Sequence, residues 1–318
     1  MSAGPVWLLT DASMDAHHAP GHPERPDRRE ATAAGVRDAA GDRLREVPCE
    51  AATPAEVGAV HTSAYLAQLA DLGGRGGGWL DPDTYLAPGS VPAAHLAAGA
   101  TLQAARAAAD GSAEIAFAVV RPPGHHAAAG RGSGFCLLNN VAIAVAGLRA
   151  DGRVRRVAVV DWDVHHGDGT QAIFDADAEL CYASTHQSPL FPGTGAVVER
   201  GSGPGAGTMH NRPLMPGAGD EEFVATWLDD LLPRIEAFAP EALLVSAGYD
   251  AHRADPLAHL EVTEAGYRAV AEALGAMSRR LGLRGVALTL EGGYDLAALR
   301  ASAASTVGGL ILGREAAP

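Results

Sequence analysis

The sequence predicts an α/β fold built on a mostly parallel central sheet with helices on both faces. Short apolar runs without polar interruption, such as residues 157–160, are typical of strands buried on both faces. From residue 115 onward such runs alternate with helical segments, which is the pattern of a parallel sheet covered by helices. Several runs end in His, Asp or Tyr, as expected where parallel strands open onto a ligand crevice.

The first third of the chain contains a clear helix start. Thr53 and Glu56 match a capping box, and Pro54 occupies the first helical position, so a helix is predicted to begin there. This region is predicted to contain a strand at residues 6–10 and a loop rich in His and Pro at residues 14–28. Four helices are predicted, at residues 28–40, from residue 53, at residues 63–71 and at residues 92–110.

The remainder of the chain alternates regularly between strands and helices. The predicted strands are residues 115–120, 157–161, 180–184, 208–214, 243–247 and 285–290. The predicted helices are residues 138–150, 170–174, 220–237, 263–281 and 295–312. Because a helix follows most of these strands, we expect parallel pairing through helical crossovers.

Length and composition restrict the class of protein. We expect one domain over residues 1–318, because α/β folds of this size are often single and no long linker divides the chain. The net charge of -14 argues against non-specific binding to nucleic acid or anionic membranes. Without a long apolar span, a signal peptide or a paired cysteine motif, we expect a soluble, cytoplasmic protein.

The strongest chemical signal follows the strand predicted at residues 157–161. Asp163 and His165 lie two residues apart on an extended segment, so their side chains point the same way and form a chelating pair. Oxygen and nitrogen ligands without a thiolate suit zinc or another divalent first-row metal, and an incomplete protein shell leaves a place for water. The alternative is a pair that only caps a turn. Five ionisable residues within eight positions favour the catalytic metal site.

Two other strand ends supply partners for this pair. Asp250 follows the strand at residues 243–247 and can be a third metal ligand, although it can equally be the N-cap of the next helix. The tandem His125 and His126 follow the strand at residues 115–120 and offer a general base for metal-activated water. A histidine pair in a surface turn is the alternative for these two residues.

Three more residues complete a hydrolytic set. Asp161 and Asp168 can accept hydrogen bonds from the two imidazoles, which fixes the tautomer of each ring. Tyr294 follows two glycines and can donate its hydroxyl to an oxyanion, or it can simply pack under the last helix. A metal, a water, a base and an oxyanion donor together predict hydrolysis of an amide or similar acyl bond.

The motifs resemble those of the histone deacetylase family, which are zinc-dependent deacylases with the arginase-like α/β fold. The matching segments cover nearly the whole chain in the family's order: residues 21–26 (GHPERP), 121–126 (RPPGHH), 134–136 (GFC), 161–169 (DWDVHHGDG), 191–195 (FPGTG), the segment around 250, and 291–294 (EGGY). RPPGHH and EGGY are similar to the class II branch, which includes bacterial acetylpolyamine amidohydrolases and acetoin-utilisation-type proteins.

The resemblance implies a role for each matching residue. It implies that Asp163, His165 and Asp250 are the three ligands of one zinc ion. It implies a histidine pair, His125 and His126, supported by the carboxylates of Asp161 and Asp168, and it implies that Tyr294 polarises the acyl carbonyl. It implies that Phe135 and Phe191 wall an acyl-lysine tunnel. It also implies a potassium ion near the zinc, bound partly through backbone oxygens of Asp161, Asp163, His165, Ser184 and Thr185.

Residues around the tunnel are assigned less directly. Arg28 resembles an arginine of an internal channel, with a surface salt bridge as the alternative, and Asp83 resembles the acid at the tunnel rim, with Asp81 as a competitor. Leu257 occupies the place, after an Asp-Pro pair, where polyamine-selective relatives carry glutamate. A leucine does not stabilise a second cation, so the resemblance favours acyl-lysine in peptides or proteins over acetylated polyamines.

Two other functions are compatible with parts of the sequence. One is a binding protein that keeps the pocket without turnover, which the presence of Tyr294 argues against. The other is an arginase-like ureohydrolase with two manganese ions, which residues 250–255 faintly resemble. The partner expected from the set as a whole is an acylated lysine peptide or an acetylated amine. The sequence leaves the physiological substrate and the oligomeric state open.

Overall fold

Eight parallel strands form the central sheet of the protein in a computed structural model that describes residues 4–316. Together with a small hairpin, the described residues contain ten strands: β1 Val6–Leu9, β2 Leu44–Val47, β3 Gly78–Trp79, β4 Tyr85–Leu86, β5 Ile115–Ala118, β6 Val157–Asp161, β7 Leu180–Gln187, β8 Met209–Leu214, β9 Ala242–Ala247 and β10 Val286–Leu290. The sheet order is β2-β1-β5-β10-β9-β6-β7-β8, while β3 and β4 form a separate antiparallel hairpin. All neighbours in the large sheet are parallel, which confirms the predicted fold class.

Helices cover both faces of the sheet. They are α1 Asp27–Ala40, α2 Pro54–Gly58, α3 Ser63–Gly74, α4 Ser90–Asp110, α5 Asn140–Ala150, α6 Asp168–Phe174, α7 Asp220–Thr226, α8 Leu232–Phe238, α9 Glu264–Arg280 and α10 Leu296–Ala316. In β6, Ala158 and Val160 belong to the core with α1, α9 and α10, whereas Val157 and Val159 belong to the core with α4 and α5. Because side chains alternate along a strand, burial on both faces explains the continuous apolar run.

Two elements differ clearly from the sequence prediction. Strand β2 was not predicted, because its two central residues, Arg45 and Glu46, are exposed at the sheet edge and break the apolar pattern. The helix predicted at residues 220–237 is interrupted by a π-helical turn at Trp227–Leu231. Pro233, which has no N–H for the helical ladder, follows this turn and accounts for the interruption. Other element ends shift by a few residues from the prediction.

The last helix, α10, is long and apolar enough to cross a membrane when judged by length and composition alone. Half of its most apolar stretch is nevertheless buried inside the protein, where it packs against α1 and α9. Gly313 permits a very close approach to α9, because a Cβ at this position would lie 1.9 Å from the carbonyl oxygen of Glu272. Core packing therefore accounts for the apolar composition of α10.

Replacing Gly313 with alanine is expected to destabilise the protein by about 1–3 kcal/mol, since the methyl group forces α9 and α10 apart. Gly308 on the same helix is the matched control, because a Cβ there has no neighbour within 4 Å. Gly308→Ala should stabilise the protein by up to about 1 kcal/mol through helix propensity. Urea unfolding of both variants measures the difference, and equal stabilities would contradict the close packing at Gly313.

Candidate active site

The carboxyl ends of four adjacent strands bring the predicted site residues together. Strands β5, β10, β9 and β6 are consecutive neighbours in the sheet, and each is followed by one of the predicted polar segments. Asp161 at the end of β6 lies opposite Ser246 of β9, and Ala247 of β9 lies opposite Leu290 of β10. The segments that follow these strands therefore meet above the middle of the sheet, as expected for parallel strands.

Asp163, His165 and Asp250 form one compact group. One oxygen or nitrogen atom from each residue lies within 4.8 Å of the others. His165 Nδ1 is 3.3 Å from Asp163 Oδ1 and 3.2 Å from Asp250 Oδ2. The second oxygen of each carboxylate accepts a backbone N–H, from Gly292 at 2.7 Å for Asp163 and from Val164 at 2.9 Å for Asp250. Both carboxylates are thus oriented by the main chain.

Two observations show that this group fits a metal ion. Two carboxylates and one imidazole, with no thiolate, suit zinc or another divalent first-row metal and leave coordination positions for water and substrate. Burial works against a charged His165, but the hydrogen bonds to Asp163 and Asp250 and the charges of these carboxylates outweigh burial and raise the pKa of His165 to about 10. The two carboxylates therefore favour a positive charge at this point. The N-cap interpretation of Asp250 is wrong, because α9 begins at Glu264 and is capped by Thr263.

The two histidines that follow β5 are each oriented by a carboxylate. His125 Nδ1 lies 3.1 Å from Asp161 Oδ2, and His126 Nδ1 lies 2.8 Å from Asp168 Oδ1. Both imidazoles are buried and line the same pocket as the Asp163 group. Because Nδ1 is engaged on each ring, Nε2 is left for the pocket. The surface-turn interpretation of the histidine pair is therefore wrong.

The two imidazoles differ in their electrostatic environment. Burial lowers the pKa of His126 to about 3, and the nearby charge of His125 acts in the same direction. Burial also works against a charged His125, but the carboxylates of Asp163 and Asp161 outweigh it and raise the pKa of His125 well above its ordinary value. These surroundings therefore favour the neutral form of His126 and the charged form of His125.

A narrow pocket of about 240 Å³ leads to these groups. It is lined by Asp83, Pro123, His125, His126, Gly134, Phe135, Asp163, His165, Leu190, Phe191, Leu257, Gly292 and Tyr294. Phe135 meets Tyr294 edge to face at 5.9 Å between ring centroids, and Phe191 lies 5.1 Å from the ring of His126. Both predicted aromatic residues thus wall the pocket, with Phe191 at its exposed end.

The loop that carries Phe135 has an unusual backbone. Phe135 has a φ of 69°, a left-handed conformation that is rare for a bulky side chain. Its N–H donates to Thr84 Oγ1 at 3.0 Å, and its ring contacts His22 edge to face at 4.6 Å. Such conformations persist where the surroundings fix them, and here the strained backbone aims the ring at the pocket.

Tyr294 is a buried residue of the pocket wall, so packing under the last helix does not account for its position. Its N–H donates to Asp255 Oδ2 at 2.6 Å, and the Arg28 guanidinium lies 4.8 Å from its ring centroid. Arg28 is fully buried, donates to the carbonyls of Glu291 and Gly293, and pairs with Glu24 at 2.9 Å. The surface salt-bridge interpretation of Arg28 is therefore wrong.

At the pocket mouth the structure separates the two candidate acids. Asp81 Oδ1 accepts hydrogen bonds from the N–H groups of Asp83 and Thr84, so Asp81 stabilises the turn. Asp83 lines the pocket itself. Leu257 also lines it, on a loop held by a hydrogen bond from the Leu257 N–H to Asp255 Oδ1 at 2.9 Å.

The two residues predicted to help bind potassium lie on β7, next to the metal segment. Ser184 is directly opposite Asp161 across the β6 and β7 pairing. The hydroxyl of Thr185 accepts a hydrogen bond from Trp227 Nε1 at 3.0 Å. Binding of potassium by these residues stays a prediction.

Several residues that orient the site, all of them buried except Arg131, were not assigned from the sequence. Tyr182 donates its hydroxyl to Asp161 at 2.8 Å, Arg131 donates to Asp168 at 3.0 Å, and Asp255 holds the Tyr294 N–H. Glu291 accepts backbone hydrogen bonds from the segment that carries the histidine pair. No sequence pattern identifies these contacts, because the partners are distant in the chain and half of them are backbone N–H groups.

Fold and site together define a hydrolase built on a parallel sheet covered by helices, with a group of carboxylates and imidazoles lining a narrow pocket. A sequence model of the histone deacetylase domain matches residues 22–310. A probable deacetylase from Methanothermobacter thermautotrophicus is 41% identical over 308 residues, or 95% of this chain and 90% of the relative. A histone deacetylase-like amidohydrolase from Pseudomonas aeruginosa is 36% identical over 300 residues, which are 92% of this chain and 78% of the relative.

A solved structure agrees with these relatives. The crystal structure of the HDA15 HD domain matches with a TM-score of 0.91 and 36% identity, over 98% of this chain and 90% of that one. The protein belongs to the histone deacetylase family and has its arginase-like fold. It is accordingly a hydrolase of the deacetylase and amidohydrolase type, as the sequence motifs predicted.

Proposed function

We propose that the enzyme is a zinc-dependent deacylase that removes an acetyl or other acyl group from lysine side chains of peptides or proteins. One observation carries the proposal: a metal-type ligand group, a carboxylate-oriented histidine pair and Tyr294 all line one narrow pocket. We place the activity in the cytoplasm, since all three cysteines have free thiols, which suits a reducing compartment.

Asp163, His165 and Asp250 would hold the zinc ion. When bound, zinc supplies Lewis acidity to the acyl carbonyl and makes water a stronger nucleophile at neutral pH. We further propose a potassium ion beside it, bound by oxygens of Asp161, Asp163, His165, Ser184 and Thr185. The register of Ser184 opposite Asp161 supports this second ion.

The histidine pair is responsible for proton transfer in the proposed reaction. The His126 Nδ1–H donates to Asp168, so the lone pair lies on Nε2, where a neutral ring can take a proton from the attacking water. The same nitrogen can return that proton to the departing amine. The carboxylates of Asp161 and Asp163 favour the charged form of His125, which would place positive charge beside the developing oxyanion.

Tyr294 donates a hydrogen bond to that oxyanion. Burial raises the pKa of its hydroxyl, so the group remains protonated and available as a donor. The flat rings of Phe135 and Phe191 suit the methylene chain of lysine, which leaves the substrate backbone at the rim near Asp83. Tyr294 also argues against a silent binding protein, because substrate binding alone does not need an oxyanion donor.

Tyr294→Phe should lower kcat for an acetyl-lysine peptide by on the order of 10²–10³-fold, while KM and metal content stay close to those of the wild type. The reason is that the hydroxyl acts mainly on the transition state. Tyr267→Phe is the control, because this buried phenol lies outside the pocket and its hydroxyl has no partner among the described residues. An unchanged kcat in Tyr294→Phe would refute the proposed role.

Acetylpolyamine hydrolysis is the second candidate, and the acidic rim residue Asp83 is the observation that favours it. Leu257 lines the same pocket and offers no charge to a second ammonium group, so acetyl-lysine peptides should have the higher kcat/KM.

The substrate choice is tested by comparing kcat/KM for acetyl-lysine peptides with that for acetylspermidine and acetylputrescine. Leu257→Glu should narrow the preference for peptides, because it adds a carboxylate at the pocket mouth. Leu257→Gln, of equal length and no charge, should not. A wild-type preference for acetylpolyamines would assign the enzyme to the amidohydrolase branch instead.

A further inference from the structure

Glu291 is a fully buried carboxylate at the centre of the sheet that has no part in the chemistry described so far. It directly follows β10, which lies between β5 and β9. Its Oε2 accepts the backbone N–H groups of Gly124 at 2.7 Å and His125 at 3.1 Å, and its Oε1 accepts the Ser246 hydroxyl at 3.0 Å. One side chain therefore connects three strand ends.

Burying a carboxylate is costly, and the carboxylate of Glu291 is held by hydrogen bonds and not by an arginine side chain. Burial raises the pKa of Glu291 to about 7. The Arg28 guanidinium donates to the backbone carbonyl of Glu291 and pairs its charge with Glu24. Three neutral donors are what holds the carboxylate. An unpaired buried carboxylate of this kind is expected where its hydrogen bonds do something that an apolar side chain does not.

The segment that Glu291 holds is irregular and carries the histidine pair. Strand β5 ends at Ala118, so His125 lies seven residues beyond regular structure. The His125 peptide is fixed on both sides, by its N–H to Glu291 and by its carbonyl, which accepts the Thr170 N–H at 3.0 Å. Gly124 is packed tightly, since a Cβ there would lie 2.5 Å from the Asn140 nitrogen.

We propose that Glu291 is a positioning residue for the reaction: its carboxylate anchors the backbone of Gly124 and His125 and so fixes both imidazoles against the ligand group. The inference rests on the proposed function, because it assigns the histidines a proton-transfer role. Loss of the anchor moves the base relative to the substrate, and displacements of about 1 Å lower rates by on the order of 10²-fold.

Three variants separate positioning from charge and from bulk structure. Glu291→Gln keeps an oxygen at the same reach and should retain kcat within about threefold. Glu291→Asp keeps the charge but is one methylene shorter, and Glu291→Leu removes the acceptor. Both should lose on the order of tenfold or more in kcat, with KM and metal content near wild type.

Thr289→Val is the matched control, since Thr289 is also buried on β10 and its hydroxyl bonds Thr101 at 3.0 Å without contacting the histidine segment. It should lower the melting temperature and leave kcat unchanged. If Glu291→Leu and Glu291→Asp behave like this control, Glu291 is only structural and the proposal is wrong. If Glu291→Asp retains kcat while Glu291→Gln loses it, Glu291 acts through its charge and the proposal is equally wrong.

Hydrogen exchange gives a test that does not need activity. The amides of Gly124 and His125 should be protected in the wild type and in Glu291→Gln, and should exchange at least tenfold faster in Glu291→Asp and Glu291→Leu, because a lost acceptor frees both N–H groups. Unchanged exchange in Glu291→Leu would overturn the anchor. If the wild-type enzyme is inactive on acyl-lysine, the proposed function is wrong. The hydrogen exchange of Gly124 and His125 then still shows whether Glu291 anchors this segment.

Discussion

The constraint on which the site depends is the burial of two carboxylates, Asp163 and Asp250, next to one another. Charges of the same sign repel strongly where water is excluded, and burial together with Asp163 raises the pKa of Asp250. Backbone N–H groups of Gly292 and Val164 orient the two carboxylates but do not neutralise them. A positive charge between the carboxylates would remove this repulsion, and the ring of His165 faces that position.

The sheet and the buried ion pairs supply the rigidity that such a site needs. Four adjacent parallel strands end beneath it, so the segments that carry the functional side chains start from fixed points, and hydrogen bonds hold these segments beyond the strand ends. Behind the tyrosine, Glu24 pairs with Arg28 at 2.9 Å and with Arg121 at 2.6 Å, all three of them fully buried. Arg28 in turn donates hydrogen bonds to the carbonyls of Glu291 and Gly293, in the segment just before Tyr294. Removing one partner of such a network leaves an uncompensated buried charge.

The sequence was most informative where short-range geometry decides the outcome. The short spacing of Asp163 and His165 correctly predicted that their side chains meet, but the predicted extended segment is wrong, because β6 ends at Asp161 and the chain bends at residues 163–165. The alternation of strands and helices was enough to predict a parallel sheet. The roles of Arg28 and Glu291 depended on partners more than 160 residues away, which one sequence does not reveal. Strand β2 was missed because its pattern at the sheet edge is polar, and it forms through pairing with β1.

On the proposed function, one metal ion bound between the two carboxylates and the imidazole makes this fold a deacylase. The most direct measurement removes metal from the purified protein by chelation and then titrates zinc while following hydrolysis of an acetyl-lysine peptide. Activity should rise linearly and reach its plateau at one zinc ion per chain, matching the single three-ligand group among residues 4–316. A plateau at two metal ions per chain, or full activity after complete metal removal, would contradict this account.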